Sequence, residues 1–240
     1  MDFPLVLLLG FAAGTISGIV GFGSSIMLMP PLVIIFGARQ AVPIMAVAAL
    51  MANVSRVAIW WREVDWRACA VYSTTGVPAA ALGARTLLVL PQSWVEGTLG
   101  LFFLLMIPAR RWMASHNLRI GLPHLAIVGA VIGFLTGIVV STGPINAPFF
   151  LAYGLVKGAY LGSEALGSLA VYVSKAVVFR SFGALPIESI AKGLIIGCSL
   201  MAGSLAAKRF VLKLDLARFH LLMEALLLVS GVTMLWAALA

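Results

Sequence analysis

Two short clusters within apolar segments each combine a polar side chain, a serine and a cation: Asn53, Ser55 and Arg56 in the first, and Tyr172, Ser174 and Lys175 in the second. Residues three positions apart lie on one face of a helix, so each cluster presents its amide or phenol beside its cation. A cation inside a hydrophobic segment is costly and typically marks a functional site, although a long side chain can also reach the nearest interface. The pattern predicts recognition of an anion by both clusters.

Glu164 is an acidic side chain in the same apolar segment as Lys175 and lies eleven residues before it. That spacing places both residues on one helix face, three turns apart. Glu164 is a candidate for proton coupling, with a carboxylate at the cytoplasmic end of its helix as the alternative. The histidines have no metal-ligand spacing, and the sequence contains no nucleophile motif or phosphate loop. We therefore predict no metal, no cofactor and no enzyme activity.

The segments that must position these clusters are two apolar helices interrupted by glycine, serine and proline. Glycines at 10, 14 and 18 precede the first break, and the same spacing returns 119 positions later at 129, 133 and 137. This offset also aligns Arg56 with Lys175, which indicates an internal duplication. Backbone that is not helical at membrane depth is tolerated against protein or a watery cavity, and the N-terminus of the helix that follows favours an anion. The predicted binding residues are Gly23, Ser24 and Ser25 in the first break, Ser141, Thr142 and Gly143 in the second, and Asn146 near the second.

The glycine spacing also has a purely structural interpretation, because Gly-x3-Gly lets two helices pack closely.

The amino-acid composition indicates a protein that lies in a membrane. The 240 residues are 62% hydrophobic and 10% charged, whereas a soluble domain carries roughly a quarter of charged residues. The net charge of +8 is expected from cations at the ends of spans, and no nucleic-acid partner is predicted. The chain begins without a basic n-region, so we expect the first apolar segment to be retained.

The apolar segments fall into two sets of five: 4–20, 25–36, 42–60, 68–90 and 93–109, and then 121–140, 145–156, 160–179, 190–207 and 216–239. The second segment of each set is too short to cross a bilayer, since a span takes about 20 residues. If each broken pair returns to its own side, ten Lys and Arg residues lie on one face and four on the other. This positive-inside bias places both termini outside. If the pairs cross instead, two basic loops lie on opposite faces.

The predicted fold is an all-α polytopic membrane protein with two inverted repeats, residues 1–118 and 119–240. Each repeat opens with a broken-helix hairpin, which three spanning helices follow. The cavity between the two breaks is the predicted site for a small anion.

The sequence from Gly18 through Gly21-Phe22-Gly23-Ser24-Ser25 to Pro30 resembles the Gly-rich signature of the TauE/SafE sulfite exporter family, also called the toluene-sulfonate uptake permease family. The segment from Gly137 to Gly143 and the helix containing Gly76 and Gly83 match the family's general plan. The chain differs from the usual run of glycines at Phe22, Ser24 and Ser25, and it has Pro144 and Asn146 near the second break. The resemblance implies transport of small sulfur-containing anions such as sulfite, thiosulfate or organosulfonates across a bacterial inner membrane.

These observations favour a secondary transporter that exports its anion by alternating access, in the lipid bilayer and with a proton or a sodium ion as the possible coupling ion. An uptake permease for another small anion such as a carboxylate, or for a cation, is the first alternative. A membrane assembly subunit without transport activity is the second, but it has no need of two polar breaks and two buried cations. The sequence does not determine the oligomeric state.

Overall fold

The computed structural model describes residues 3–91, 119–138 and 143–207, together with single residues between 94 and 115 and between 228 and 236. Within the three continuous ranges, every regular element is helical. A 3₁₀ turn covers Trp61–Glu63, and the eight α-helices are α1 (Phe3–Val20), α2 (Ser24–Phe36), α3 (Ala38–Trp60), α4 (Trp66–Val89), α5 (Leu122–Ile138), α6 (Gly143–Ala152), α7 (Lys157–Ser181) and α8 (Ile187–Ala207). The predicted segments 93–109 and 216–239 fall mainly outside the described residues.

The first predicted break lies between α1 and α2. Gly21 and Gly23 have φ angles of 91° and 109°, a region that glycine adopts without steric cost. The carbonyl of Gly23 accepts a hydrogen bond from the Met27 N–H at 3.0 Å, so α2 begins directly after the reversal. The prediction that Ser24 and Ser25 belong to the break was therefore wrong, because both lie in the first turn of α2.

The second break lies between α5 and α6, where Ser141 and Thr142 are outside the described residues. Gly143 and Pro144, which were predicted in this break, instead open α6. Proline suits a first helical turn because it lacks an N–H that would have no intrahelical partner there. With 13 and 10 residues, α2 and α6 span only about 20 and 15 Å, well short of a ~30 Å hydrocarbon core.

Glycine stripes bring the outer helices into direct backbone contact. A Cβ atom on Gly14 of α1 would lie 2.2 Å from the Leu200 carbonyl oxygen of α8. A Cβ atom on Gly133 of α5 would lie 2.3 Å from the Gly76 carbonyl oxygen of α4. Such close approach is what small residues at helix interfaces allow. The structural interpretation of the Gly-x3-Gly spacing is confirmed.

The central pair of helices is α3 and α7, which pack against each other. Helix α3 also contacts α8, and α7 contacts α4, while α2 lies on α3 and α6 lies on α7. The starts of α1 and α5 (3 and 122), of α2 and α6 (24 and 143), and of α3 and α7 (38 and 157) are each 119 residues apart. The two halves thus place corresponding helices in corresponding contacts.

The described helices have the length and surface of a membrane protein. Three regions are long and apolar enough to cross a bilayer: 40–63, 157–181 and 187–207. Helix α4 has sufficient length with 24 residues but is not among these three, because it is less apolar. Large apolar side chains face outward on several helices, including Leu8 (70% exposed), Ile34 (84%) and Val89 (81%). Lipid tails would cover this surface, and the protein is a membrane protein.

Candidate functional site

A small polar cavity lies where the first break meets the tip of α6 and the middle of α3 and α7. Its volume is about 30 Å³, which is enough for about two water molecules. Gly143 lies against Phe22, since a Cβ atom on Gly143 would be 2.5 Å from the Phe22 Cβ. The cavity is lined by Ser17, Gly21, Phe22, Gly23, Ser24, Ser25, Ala49, Ala52, Asn53, Arg56, Gly143, Glu164, Ser168 and Tyr172. The described tips of the two broken helices therefore meet at one site.

Arg56 holds three elements together at this cavity. Its side chain is 5% exposed, and its Nη1 donates to the Glu164 Oε2 at 2.8 Å. The same guanidinium donates to the Gly21 carbonyl and to the Asn53 Oδ1. The Gly21 carbonyl lies just beyond the end of α1, where backbone oxygens lack an intrahelical donor. Arg56 thus stabilises the C-terminal end of the first broken helix and tethers it to α7.

Glu164 balances the charge of Arg56 and uses both carboxylate oxygens. While Oε2 accepts from Arg56, Oε1 accepts from the Asn146 Nδ2 at 3.2 Å and from the Ser168 Oγ at 2.7 Å. The side chain is 1% exposed. A buried ion pair is tolerated when further hydrogen bonds satisfy its remaining lone pairs, as here. The pair connects α3 of the first half with α6 and α7 of the second.

Two buried polar atoms beside this pair have no hydrogen-bond partner among the described residues: the Arg56 Nε and the Asn146 Oδ1. Buried polar atoms are nearly always paired with protein or ordered water, so such exceptions point to a binding site for water or a ligand. The Nε is a donor and the Oδ1 is an acceptor. The Arg56 Nε is therefore a charged donor on a residue that lines the cavity, and the Asn146 Oδ1 is a neutral acceptor on a residue that contacts Glu164.

Lys175 has a related role at the other broken helix but lies outside the lining of this cavity. It is 1% exposed, and its Nζ donates to the Thr136 carbonyl of α5 at 2.9 Å and lies 5.3 Å from the centre of the Phe179 ring. Thr136 is in the last turn of α5, where carbonyls lack intrahelical donors. Each half therefore uses a cation of its third helix at the C-terminal end of its first helix.

The structure brings most of the predicted site residues together and separates a few. Those that line the cavity are Gly23, Ser24, Ser25, Asn53, Arg56, Gly143, Glu164 and Tyr172, and Asn146 reaches it through Glu164. Ser55 instead donates to the Ala52 carbonyl at 2.8 Å within α3, and Ser174 donates to the Val77 carbonyl of α4 at 2.8 Å. These two hydroxyls support helix structure and packing.

The sequence interpretation missed two features of this site. Ser168 was not singled out, although it lies four residues after Glu164 and so on the same helix face. The pairing of Glu164 with Arg56 was also missed. These residues are 108 positions apart, and no spacing rule connects them. Among the described residues, no group of three His, Cys, Asp or Glu side chains is arranged to hold a metal ion.

Comparison with known proteins assigns the chain to a family. The profile of the family described as "Sulfite exporter TauE/SafE" matches residues 6–234. The chain belongs to the TauE/SafE family. The resemblance inferred from the Gly-rich segment is confirmed, and the match extends over both halves of the chain. No curated protein and no solved structure matches this TauE/SafE chain.

Membership of the TauE/SafE family, which is a family of transporters, identifies this protein as a membrane transporter. That assignment agrees with the apolar helices and with a polar cavity at the meeting point of two interrupted helices. Interrupted helices that meet near the middle of a bundle are a recurring way for transporters to build a substrate site.

Proposed function

We propose that this protein is a secondary transporter that exports small sulfur-containing anions, such as sulfite, thiosulfate or an organosulfonate, across a bacterial inner membrane. The observation that carries the proposal is the buried Arg56 at a polar cavity between the two broken helices. A guanidinium suits an oxoanion because its planar fork of N–H groups matches the geometry of two oxygens. The choice of sulfur-containing anions rests on the family description.

The first turn of α2 supports the anion assignment. Gly23, Ser24 and Ser25 line the cavity, and the N-terminus of a helix carries a partial positive charge. Each serine hydroxyl is a further possible donor to an anion. The substrate would lie between this helix end and Arg56, with the Asn53 amide and the Tyr172 phenol beside it.

The small cavity volume supports alternating access. About 30 Å³ accommodates about two waters, and an anion with three oxygens on one sulfur needs more room. In this proposal the tips near Phe22 and Gly143 separate to admit the anion from one side and then from the other. The corresponding helix contacts of the two halves favour such an exchange, because inverted repeats allow one half to rock against the other.

Lys175 takes the equivalent position in the second half in this proposal and serves the approach from the opposite side of the membrane. Its contact with the last turn of α5 parallels that of Arg56 with the end of α1. The proposed repeats, 1–118 and 119–240, are inverted, so equivalent residues lie at opposite depths.

Transport by purified protein in liposomes tests the proposed function. We expect proteoliposomes to release preloaded sulfite or thiosulfate faster than protein-free liposomes, and the dicarboxylate succinate to be released equally slowly with and without the protein. Equal release with and without protein would exclude a transporter of these anions. A protein-dependent release of succinate faster than that of either sulfur anion would instead favour a carboxylate permease.

Orientation in the membrane is a separate prediction. We expect both termini in the periplasm and the basic segment 110–119 between the two halves in the cytoplasm, because this arrangement places ten cations inside. Single cysteines introduced at these places can be labelled with an impermeant maleimide in whole cells. The background should carry Cys198→Ser, since Cys198 is exposed while Cys69 is buried. Termini labelled from opposite sides would contradict the inverted arrangement.

A further inference from the structure

The charges around the cavity cancel before any substrate arrives. Arg56 and Glu164 are the charged side chains among the described lining residues, and they face each other at 2.8 Å. The guanidinium therefore already has a carboxylate in the position that an oxoanion would take. With no net side-chain charge, the site offers an anion only the N-terminus of α2 and polar groups, and burying an uncompensated extra charge is unfavourable.

We infer that the site binds its anion together with one proton, which Glu164 accepts as the anion replaces it on Arg56. The inference rests on the proposed function and names the coupling ion. The proton comes from hydronium in the water that reaches the cavity, and one water molecule is left behind. The Arg56 Nη1–H hydrogen bond to Oε2 breaks, and a hydrogen bond from the same N–H to an oxygen of the anion forms.

The contacts of Glu164 suit this exchange. A protonated carboxyl keeps an acceptor oxygen for the Asn146 Nδ2 and the Ser168 Oγ, which both donate to Oε1. The new O–H on Oε2 is a donor, and the Asn146 Oδ1 is a buried acceptor without a partner in the described structure. An acceptor for the added proton is thus already present on a residue that contacts Glu164.

One charged side chain contacts Glu164 in the described part of the chain. Arg56 on α3 is the cation that faces it among the described residues. Other titratable groups on the neighbouring elements include Cys69 and Tyr72 on α4, which interact with it electrostatically. On its own helix, Tyr172 lines the cavity, and Tyr160 donates to the Val20 carbonyl at the first break. Lys175 donates to α5 and does not line the cavity. The charge of Glu164 is therefore governed by Arg56 and by what Arg56 binds.

The test measures the binding of thiosulfate to the detergent-solubilised full chain. Binding is measured by calorimetry over a range of pH on both sides of neutrality. Thiosulfate carries no titrating proton in this range, so any dependence on pH belongs to the protein. We expect uptake of about one proton per anion, which is read from titrations in buffers of different ionisation heat. The dissociation constant should rise by roughly tenfold per pH unit wherever one proton is taken up per anion.

Glu164→Gln isolates the ionisable group, because the amide has nearly the same shape and keeps one acceptor oxygen but cannot ionise. We expect this variant to bind thiosulfate tightly, with no proton uptake and with a dissociation constant that does not change with pH. Glu188→Gln is the matched control, since Glu188 is 77% exposed and pairs with Lys192 on the surface. It should keep the pH dependence of the parent.

The outcomes separate the two hypotheses. Thiosulfate binding by the parent without proton uptake, or binding that depends on sodium and not on pH, would overturn the proton inference and leave the transporter proposal standing. Absence of both thiosulfate and sulfite binding at every pH would overturn both. If Glu164→Gln does not fold, the proton uptake of the parent protein decides the question alone.

Discussion

Arg56→Gln is expected to abolish anion flux and to lower the stability of the protein. The substitution removes the cation of the proposed site and leaves Glu164 buried without its partner. Loss of one member of a buried ion pair costs about 3–5 kcal/mol. The measurement combines thiosulfate flux in proteoliposomes with the thermal unfolding midpoint of the purified variant.

A double variant separates the loss of transport from the loss of stability. Arg56→Gln combined with Glu164→Gln leaves no unpaired buried charge, so we expect much of the lost stability to return while flux stays absent. Arg62→Gln is the matched control because it makes the same change at an exposed position and should retain flux. Lys175→Gln, at the equivalent position, should also reduce flux strongly. Transport at the parental rate by both Arg56→Gln and Lys175→Gln would refute an anion role for these cations.

Gly14→Ala and Gly133→Ala are expected to reduce sharply the amount of folded protein. The added methyl groups would lie 2.2 Å and 2.3 Å from carbonyl oxygens of the neighbouring helices, far inside contact distance. Overpacking typically costs about 1–3 kcal/mol, and here the neighbour is a helix backbone that cannot change rotamer to make room. Recovery of monodisperse protein in detergent and its thermal unfolding midpoint measure the effect.

Gly121→Ala is the control for these two substitutions. A Cβ atom on Gly121 would have the Pro123 Cδ at 3.7 Å as its nearest neighbour, which is an ordinary contact. We expect this variant to behave like the parent. If Gly14→Ala and Gly133→Ala were as stable as Gly121→Ala, the close contacts of α1 with α8 and of α5 with α4 would be wrong.

The sequence by itself determined the membrane class, the 119-residue offset and the approximate extent of the eight described helices. These features are local or periodic: apolar length defines a helix in a bilayer, and glycine in a polar stretch interrupts it. Helix ends were less certain. The sequence placed Ser24 and Ser25 in the first break, whereas the reversal ends at Gly23 and α2 begins directly after it. A serine is compatible with either position, so composition could not decide.

Only the tertiary structure decided how the polar residues are paired. The sequence grouped Glu164 with Lys175 because they share a helix face, but the carboxylate faces Arg56 across the junction of the two halves. It also treated Ser55 and Ser174 as binding residues, and only the structure shows that their hydroxyls donate to backbone carbonyls. Periodicity fixes which side of a helix a residue occupies, but the approach of α3 to α7 depends on contacts summed over the whole bundle. That approach places Arg56 against Glu164 and so determines the charge of the cavity.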